Sequence, residues 1–425
     1  MNDVKIIGGA LFILLLTIFF PLEVSGEKSS TILIRNGTIF TVTKGVIKSG
    51  SILIKNGKIF EVGKDISVPE DAEVIDASGC VVFPGFIDSH TNLGAAEIGS
   101  LDGDEDEGTS PLTPHLRIID AINPINSFIP LARKTGITAA LTAPGQGNLL
   151  SGQSALIRLT GQNIEALVLK FPVGIHGSIG ETPKLRFGKK GVLPSTRMGA
   201  AALLRQTLVD SQEYLSKILE YEKKIADKKN NDKEVAERSQ ALPPIDFMLD
   251  SLLPVIKGEL PLIITANRKD DLLTAIRIKD EFKIRLVINQ GADAYKVRDR
   301  LASENIPVLI GPQTVSPTTF ETSGAVPEAA FLMQKEGVKI AFQTGGGKHF
   351  GDLLSQARLA IAHELDIEDA LRALTINPAE IFGVSDFIGS LEKGKLADIV
   401  IFEGNPLLST EAKLRVVIIG GTIVE

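Results

Sequence analysis

Histidine is scarce in this 425-residue chain, and its five imidazoles stand at positions 90, 115, 176, 349 and 363. His90 closes the run Pro84-Gly85-Phe86-Ile87-Asp88-Ser89-His90, and Asn92 follows two residues on. His176 and Glu181 flank a candidate strand, with Lys184 just beyond, and His349 follows Gly345-Gly346-Gly347-Lys348. Imidazole, carboxylate and amine are the groups of metal-assisted or general acid–base chemistry. A catalytic zinc needs about three protein ligands and an open position. These residues could therefore act only if the fold gathers them. His115 and His363 read as loop and helix-surface residues.

Other chemistry is thinly represented. Gly345-Gly346-Gly347-Lys348 precedes a helix near Asp352 and could cradle an anion through backbone N–H groups. It lacks the G-x-x-x-x-G-K-[ST] spacing, so a flexible loop is the first reading. Asp102-Gly103-Asp104-Glu105-Asp106-Glu107 has Glu107 at the sixth position of a calcium loop and Thr113 at the twelfth, where Gly and Glu belong. It reads as a solvated acidic loop. No G-x-S-x-G elbow is present, and Cys80, the lone cysteine, excludes an intrachain disulfide or a cysteine zinc cluster.

The elements that would position these groups follow a clear order. Residues 31 to 63 alternate with period two, as Thr31-Ile32-Leu33-Ile34-Arg35 and Gly50-Ser51-Ile52-Leu53-Ile54-Lys55, with Asn36-Gly37 and Asn56-Gly57 as turn dipeptides. Ala397 to Phe402 and Val416 to Gly421 repeat that pattern at the far end. Between them, strand candidates (Phe86–Asp88, Ile137–Thr142, Leu262–Thr265, Arg285–Ile288, Pro307–Ile310, Val338–Gln343) alternate with helix candidates (Arg197–Glu220, Lys269–Phe282, Ala294–Glu304, Asp352–His363, Ile367–Leu374). The pattern predicts an α/β fold: a (β/α)8 TIM barrel over 85–388 and a small β-sandwich built from 27–84 and 389–425. Ser151 to Ile179 carries too many short β-like runs to assign strands three and four.

Bulk properties narrow the field. A net charge of -7 without a long basic run gives no footing for nucleic-acid binding. The absence of Trp and the 5% aromatic content point to an aliphatic core. Ile6 to Phe20 is apolar, preceded by Lys5 and followed by Val24-Ser25-Gly26. Residues 1–26 therefore read as a secretory signal or an N-terminal membrane anchor, giving an exported, periplasmic or cell-envelope protein. Tyr221 to Arg238 is charge-dense and reads as a solvated helix or insertion.

The segment from Glu368 through Thr375-Ile376-Asn377-Pro378-Ala379 to Gly383, then Gly389-Ser390-Leu391-Glu392-Lys393-Gly394-Lys395-Leu396-Ala397-Asp398-Ile399-Val400, resembles the paired C-terminal motifs of imidazolonepropionase-like amidohydrolases. With Pro84 to His90, the resemblance runs from about residue 31 to 425. Gly180-Glu181-Thr182-Pro183-Lys184 and Ser195-Thr196-Arg197-Met198-Gly199 are similar to stretches of an often exported bacterial subgroup. The C-terminal motifs read as structural, with Asn377 able to cap a helix and Pro378 tolerated in its first turn. The resemblance implies a divalent metal held by His-x-His after strand one, a His after each of strands five and six, and an Asp after strand eight that is also the base. At those positions this chain has His90, Asn92, Thr265, Gln290 and Gly345. Only one imidazole remains, and the replacements are neutral and weakly ligating.

The expectation is therefore a metal-free, hydrolytically inactive member of this fold that binds a small polar molecule or serves as a partner subunit. It would form a homo-oligomer, or a heteromer with an active relative. The alternative is an active hydrolase of non-peptide C–N bonds, such as cyclic amides, with a divalent metal such as zinc in an altered site drawing on His176, Glu181, Lys184 or His349. A purely structural envelope subunit, with Tyr221 to Arg238 as its contact surface, is the third reading.

Overall fold

The computed structural model describes residues 31–96, 103–230, 243–313, 319–346 and 349–425. The expected signal or anchor at 1–26, Asp102, Gly347-Lys348 and the end of the charged segment beyond 230 lie outside the described residues. Among the described residues, no helix is long and apolar enough to cross a membrane.

The chain is a mixed α/β fold with three sheets. The first joins both ends of the sequence. From the N-terminal side come β1 (Thr31–Phe40), β2 (Val46–Lys55), β3 (Lys58–Gly63), β4 (Ala72–Asp76) and β5 (Cys80–Pro84). The second sheet contains β6 (Phe86–Thr91), β7 (Ile137–Thr142), β9 (Ala155–Arg158) and β10 (Val168–Lys170). The third runs from β8 (Gly152–Gln153) through β11 (Ile175–Ser178), β12 (Pro261–Ala266), β13 (Arg285–Gln290) and β14 (Val308–Ile310) to β15 (Ile340–Phe342). The first sheet is completed by β16 (Ile399–Glu403), β17 (Lys413–Ile419) and β18 (Thr422–Ile423).

The two chain ends meet where β16 pairs antiparallel with β5 in the middle of that first sheet. Alternation puts Ile32, Ile34, Ile52 and Ile54 into one apolar cluster with Ile399, Ile401 and Ile418. Cys80 is buried in the same cluster.

The strands from β11 to β15 are parallel neighbours, and β6 is parallel to β7. The unassigned stretch after Ser151 proves irregular. β8 and β9 lie on one short stretch of chain, yet β8 pairs antiparallel with β11 and β9 pairs antiparallel with β7. At the opposite seam, Ser89 Oγ donates to Phe342 O over 2.6 Å and Gly345 N donates to His90 O over 3.2 Å.

Helices Lys269–Phe282 and Ile367–Leu374 match their expected bounds. The expected helix over Ala294–Glu304 is divided into a 3-10 turn, Ala294–Val297, and a helix, Arg298–Ser303. The long helix Arg197–Asn230 outruns its expected end at Glu220. Asn377 is not a helix cap. Thr375 precedes the helix Ile376–Ile381, and the Asn377 amide instead donates to Ile340 O of β15 over 2.9 Å. That bond ties the helix to the sheet.

Candidate functional site

Along the parallel strands one face changes character in the direction of the chain. Ile87, Ala139, Leu141, Ile263, Val287, Leu309 and Ala341 form a single buried aliphatic cluster. Two residues further on, the same alternation gives Ser89, Thr265, Asn289 and Gln343, all buried. The C-terminal ends of these strands thus enclose a polar layer above an aliphatic floor.

His90 and His176 stand in that layer, each only 3% exposed, with ring centroids 5.4 Å apart. His176 is in register with Ile263 across the β11–β12 pair. His90 sits at an irregularity in the β6–β7 register between Asp88 and Thr91. Among the described residues, neither nitrogen of His90 has a hydrogen-bond partner, nor does Nε2 of His176. The same holds for Ser151 Oγ, Ser178 Oγ and Gln343 Oε1. Buried polar atoms are rarely left so, and the strand ends bring several of these into one polar layer.

Burial pulls the His90 imidazole down to about 4. It drives His176 well below the ordinary histidine range, with the nearness of His90 as a second cause. Both rings are neutral at pH 7, each offering one donor and one acceptor. Asp88 is buried beneath them and burial pushes it up to about 6. Its carboxylate is held by Thr344 Oγ1 at 2.5 Å, Thr344 N at 3.1 Å and His90 N at 3.3 Å.

The other expected positions fall into two hydrogen-bonded chains. Asn289 Nδ2 donates to Thr265 Oγ1 over 2.8 Å, and Gln343 Nε2 donates to Asn289 Oδ1 over 2.6 Å. Nearer the surface, Asn267 Nδ2 donates to Gln290 Oε1 over 2.7 Å, and Gln290 Nε2 donates to Gln146 Oε1 over 2.9 Å. Gly345 has φ +80°, and a Cβ there would sit 2.7 Å from Pro312 Cδ. A side chain at this position is strained by backbone and by space together. A Cβ on Gly346 would collide with Asn92 Oδ1, which places Asn92 against this loop.

Three expected participants are elsewhere. Glu181 and Lys184 pair with each other over 2.7 Å, and Glu181 also binds Arg197 over 3.0 Å. Arg197 further holds Asp271 and Glu321, so these groups form an ion network linking helices Glu181–Gly188, Arg197–Asn230 and Lys269–Phe282. His349 is exposed beside Asp352. His115 is exposed, and His363 pairs with Glu328 at a helix end, as surface residues do. The acidic loop is tied down: Gly145 N donates to Glu105 O over 2.6 Å, Asn148 Nδ2 to Glu107 O over 2.7 Å, and Asp106 pairs with Arg186.

Sequence reasoning missed Asn289, Gln343 and Ser178. The available signal was a polar residue ending an aliphatic strand, as in Leu286-Val287-Ile288-Asn289 and Ile340-Ala341-Phe342-Gln343.

A crystal structure of an amidohydrolase from Thermotoga maritima MSB8 superposes with a TM-score of 0.84 at 34% identity, covering 93% of this chain and 99% of that one. The chain belongs to the amidohydrolase family. Residues 322–424 match the Amidohydrolase family model. The amidohydrolase tasK of Hapsidospora irregularis is 24% identical over 386 residues, 83% of this chain, which spans 37% of that protein's length. A prolidase complexed with N-methylphosphonate-L-proline shares the fold at 18% identity, with a TM-score of 0.58 over 93% of this chain and 100% of that one.

The divalent ion implied for this family can be weighed against the donors of this amidohydrolase. His90 and His176 would supply two imidazoles, whereas a catalytic site takes about three protein ligands. Among the described residues, no group of three or more His, Cys, Asp or Glu side chains is arranged to hold a metal. Thr265 and Gln290 are engaged in the two amide chains, and Gly345 brings no side chain. The residues present do not fit that ion.

Proposed function

We propose that this family member, of the imidazolonepropionase-like group, works without a catalytic metal as a binder of a small polar molecule, alone or as a subunit of an oligomer with itself or an active relative. The observation carrying this reading is the buried polar layer, read as an axial chamber in which two neutral imidazoles with unfilled nitrogens stand among hydroxyls and carboxamides. Such a lining favours an uncharged hydrogen-bonding ligand, because burying a charge among hydroxyls and carboxamides costs far more than burying a neutral polar group. The hydrolytic step would lack its base as well, with glycine at 345.

The same reading takes β6, β7, the 152–158 segment and β11 to β15 as the eight staves of a TIM barrel, the third running against its neighbours. Hydrogen bonds at both seams support it. The first sheet is then the β-sandwich part, and the N-terminal apolar run directs the protein to the cell envelope.

An altered-site hydrolase would keep His176 beside His90, which favours it to that extent. It would have to release Glu181 from Arg197 and Lys184 from Glu181. The deciding experiment is elemental mass spectrometry on the full chain after incubation with zinc and manganese, beside an amide, lactam and ester panel. The expected result is far less than one ion per chain and no metal-dependent turnover. About one ion per chain, lost in His90→Asn and His176→Asn, would overturn the proposal.

A further inference from the structure

A cleft of about 150 Å³ opens at the C-terminal ends of β13 and β14, off the axis of the histidine pair. It lies between those strand ends and the 322–329 segment, and Ile310, Ala325, Val326 and Ala329 give it an apolar side. Its polar side is made of Asn267, Gln290, Gln313 and Thr322, and among the described residues no ionisable side chain lines it. Gln313 is held from behind: its N–H donates to Gln356 Oε1 over 2.5 Å, and Gln356 Nε2 returns a bond to Gln313 O over 3.3 Å. Gln356 is itself buried. The Gln313 side-chain oxygen is buried and has no partner among the described residues. Opposite it, Asn267 and Gln290 each use one N–H in the chain running to Gln146, and an NH₂ group carries two.

We infer that this cleft is a second binding site, for a small uncharged carboxamide. The ligand N–H donates to Gln313 Oε1, its carbonyl accepts from Asn267 or Gln290, and its alkyl part rests on Val326 and Ala329. Charged analogues are rejected because either charge would be desolvated against carboxamides, a hydroxyl and methyl groups alone. The space is below the ~300 Å³ of a drug-sized pocket, so the ligand has only a few heavy atoms. The inference rests on the small-ligand reading above and adds a site separate from the axial chamber.

The test is a methyl NMR titration of the full chain with propionamide, and with propionate and propylammonium as charged counterparts of similar size. Propionamide should shift the methyls of Ile310, Ala325, Val326 and Ala329 saturably, with at least tenfold weaker binding for both ions. Gln313→Leu should weaken propionamide binding at least tenfold. Gln313→Glu should reverse the preference toward propylammonium, a gain that a misfolded variant could not show. Equal affinities for the three probes, or no saturable shift, would overturn the site. Shifts confined to the axial Leu141 and Leu309 methyls would also overturn it while leaving the small-ligand reading in place. That reading fails separately, by metal uptake and turnover.

Discussion

An imidazole in water titrates near 6.5, whereas burial holds His90 at about 4 and His176 well below its usual range. Between those values the unfolded chain binds protons that the folded chain refuses, so stability falls as pH drops from about 6.5 toward 4. For His90 alone the difference is on the order of 3 kcal/mol. Asp88 acts in the other direction. Its folded value of about 6 lies above the ordinary 3.8, so its proton stabilises the fold at low pH and that contribution is lost as pH rises through about 6. Replacing both rings, as His90→Gln with His176→Gln, should therefore flatten or reverse the fall in melting temperature across this window. A pair of variants whose profile parallels the wild type would show that the rings do not titrate as described. The vicinity of His90 was readable from its motif. That His176 would be its neighbour was not, because the pairing depends on which strands lie side by side.

The helix and strand scale shows where sequence patterns succeed and where they fail. Strands from Pro261 to Phe342 were legible because each is a short aliphatic run ahead of a helix, as parallel strands covered on both faces must be. The 152–158 segment was not, since burial on both faces looks alike whichever way a strand runs. This segment also carries Arg158, which meets Asp398 at 2.7 Å with both side chains 5% exposed. Gly420 N adds a bond of 2.7 Å to the same carboxylate. The Ala-Asp-Ile-Val motif is therefore a clamp between the second sheet and the first. Asp398→Ala should cost about 3–5 kcal/mol by leaving a buried guanidinium unpaired. The double variant Arg158→Met, Asp398→Leu should recover most of that in urea unfolding. Additive losses would mean that the two residues do not act as a pair.

Taken whole, the molecule sorts its residue types by region: an aliphatic floor, a neutral polar layer above it, and ionic networks such as that of Arg197 outside. The family and the broad α/β architecture were readable from the motifs at both ends. The polar layer was only half visible, through the residues at the positions the family resemblance singles out, because the hydrogen-bond partners of Thr265 and Gln290 are contributed by different strands. Because β16 stands between β5 and β17, deletion of residues 399–425 should abolish the cooperative transition of the entire chain in calorimetry. A truncated chain that still melted sharply near the wild-type temperature would show the first sheet to be dispensable.

The same interleaving has a temporal side. On the ribosome, β5 emerges long before its neighbour β16. Until then the N-terminal strands present an open edge, a surface prone to pairing with other chains. The first sheet thus reaches its native state only once β16 has emerged, so a product interrupted before it is marked as such by its own exposed sheet.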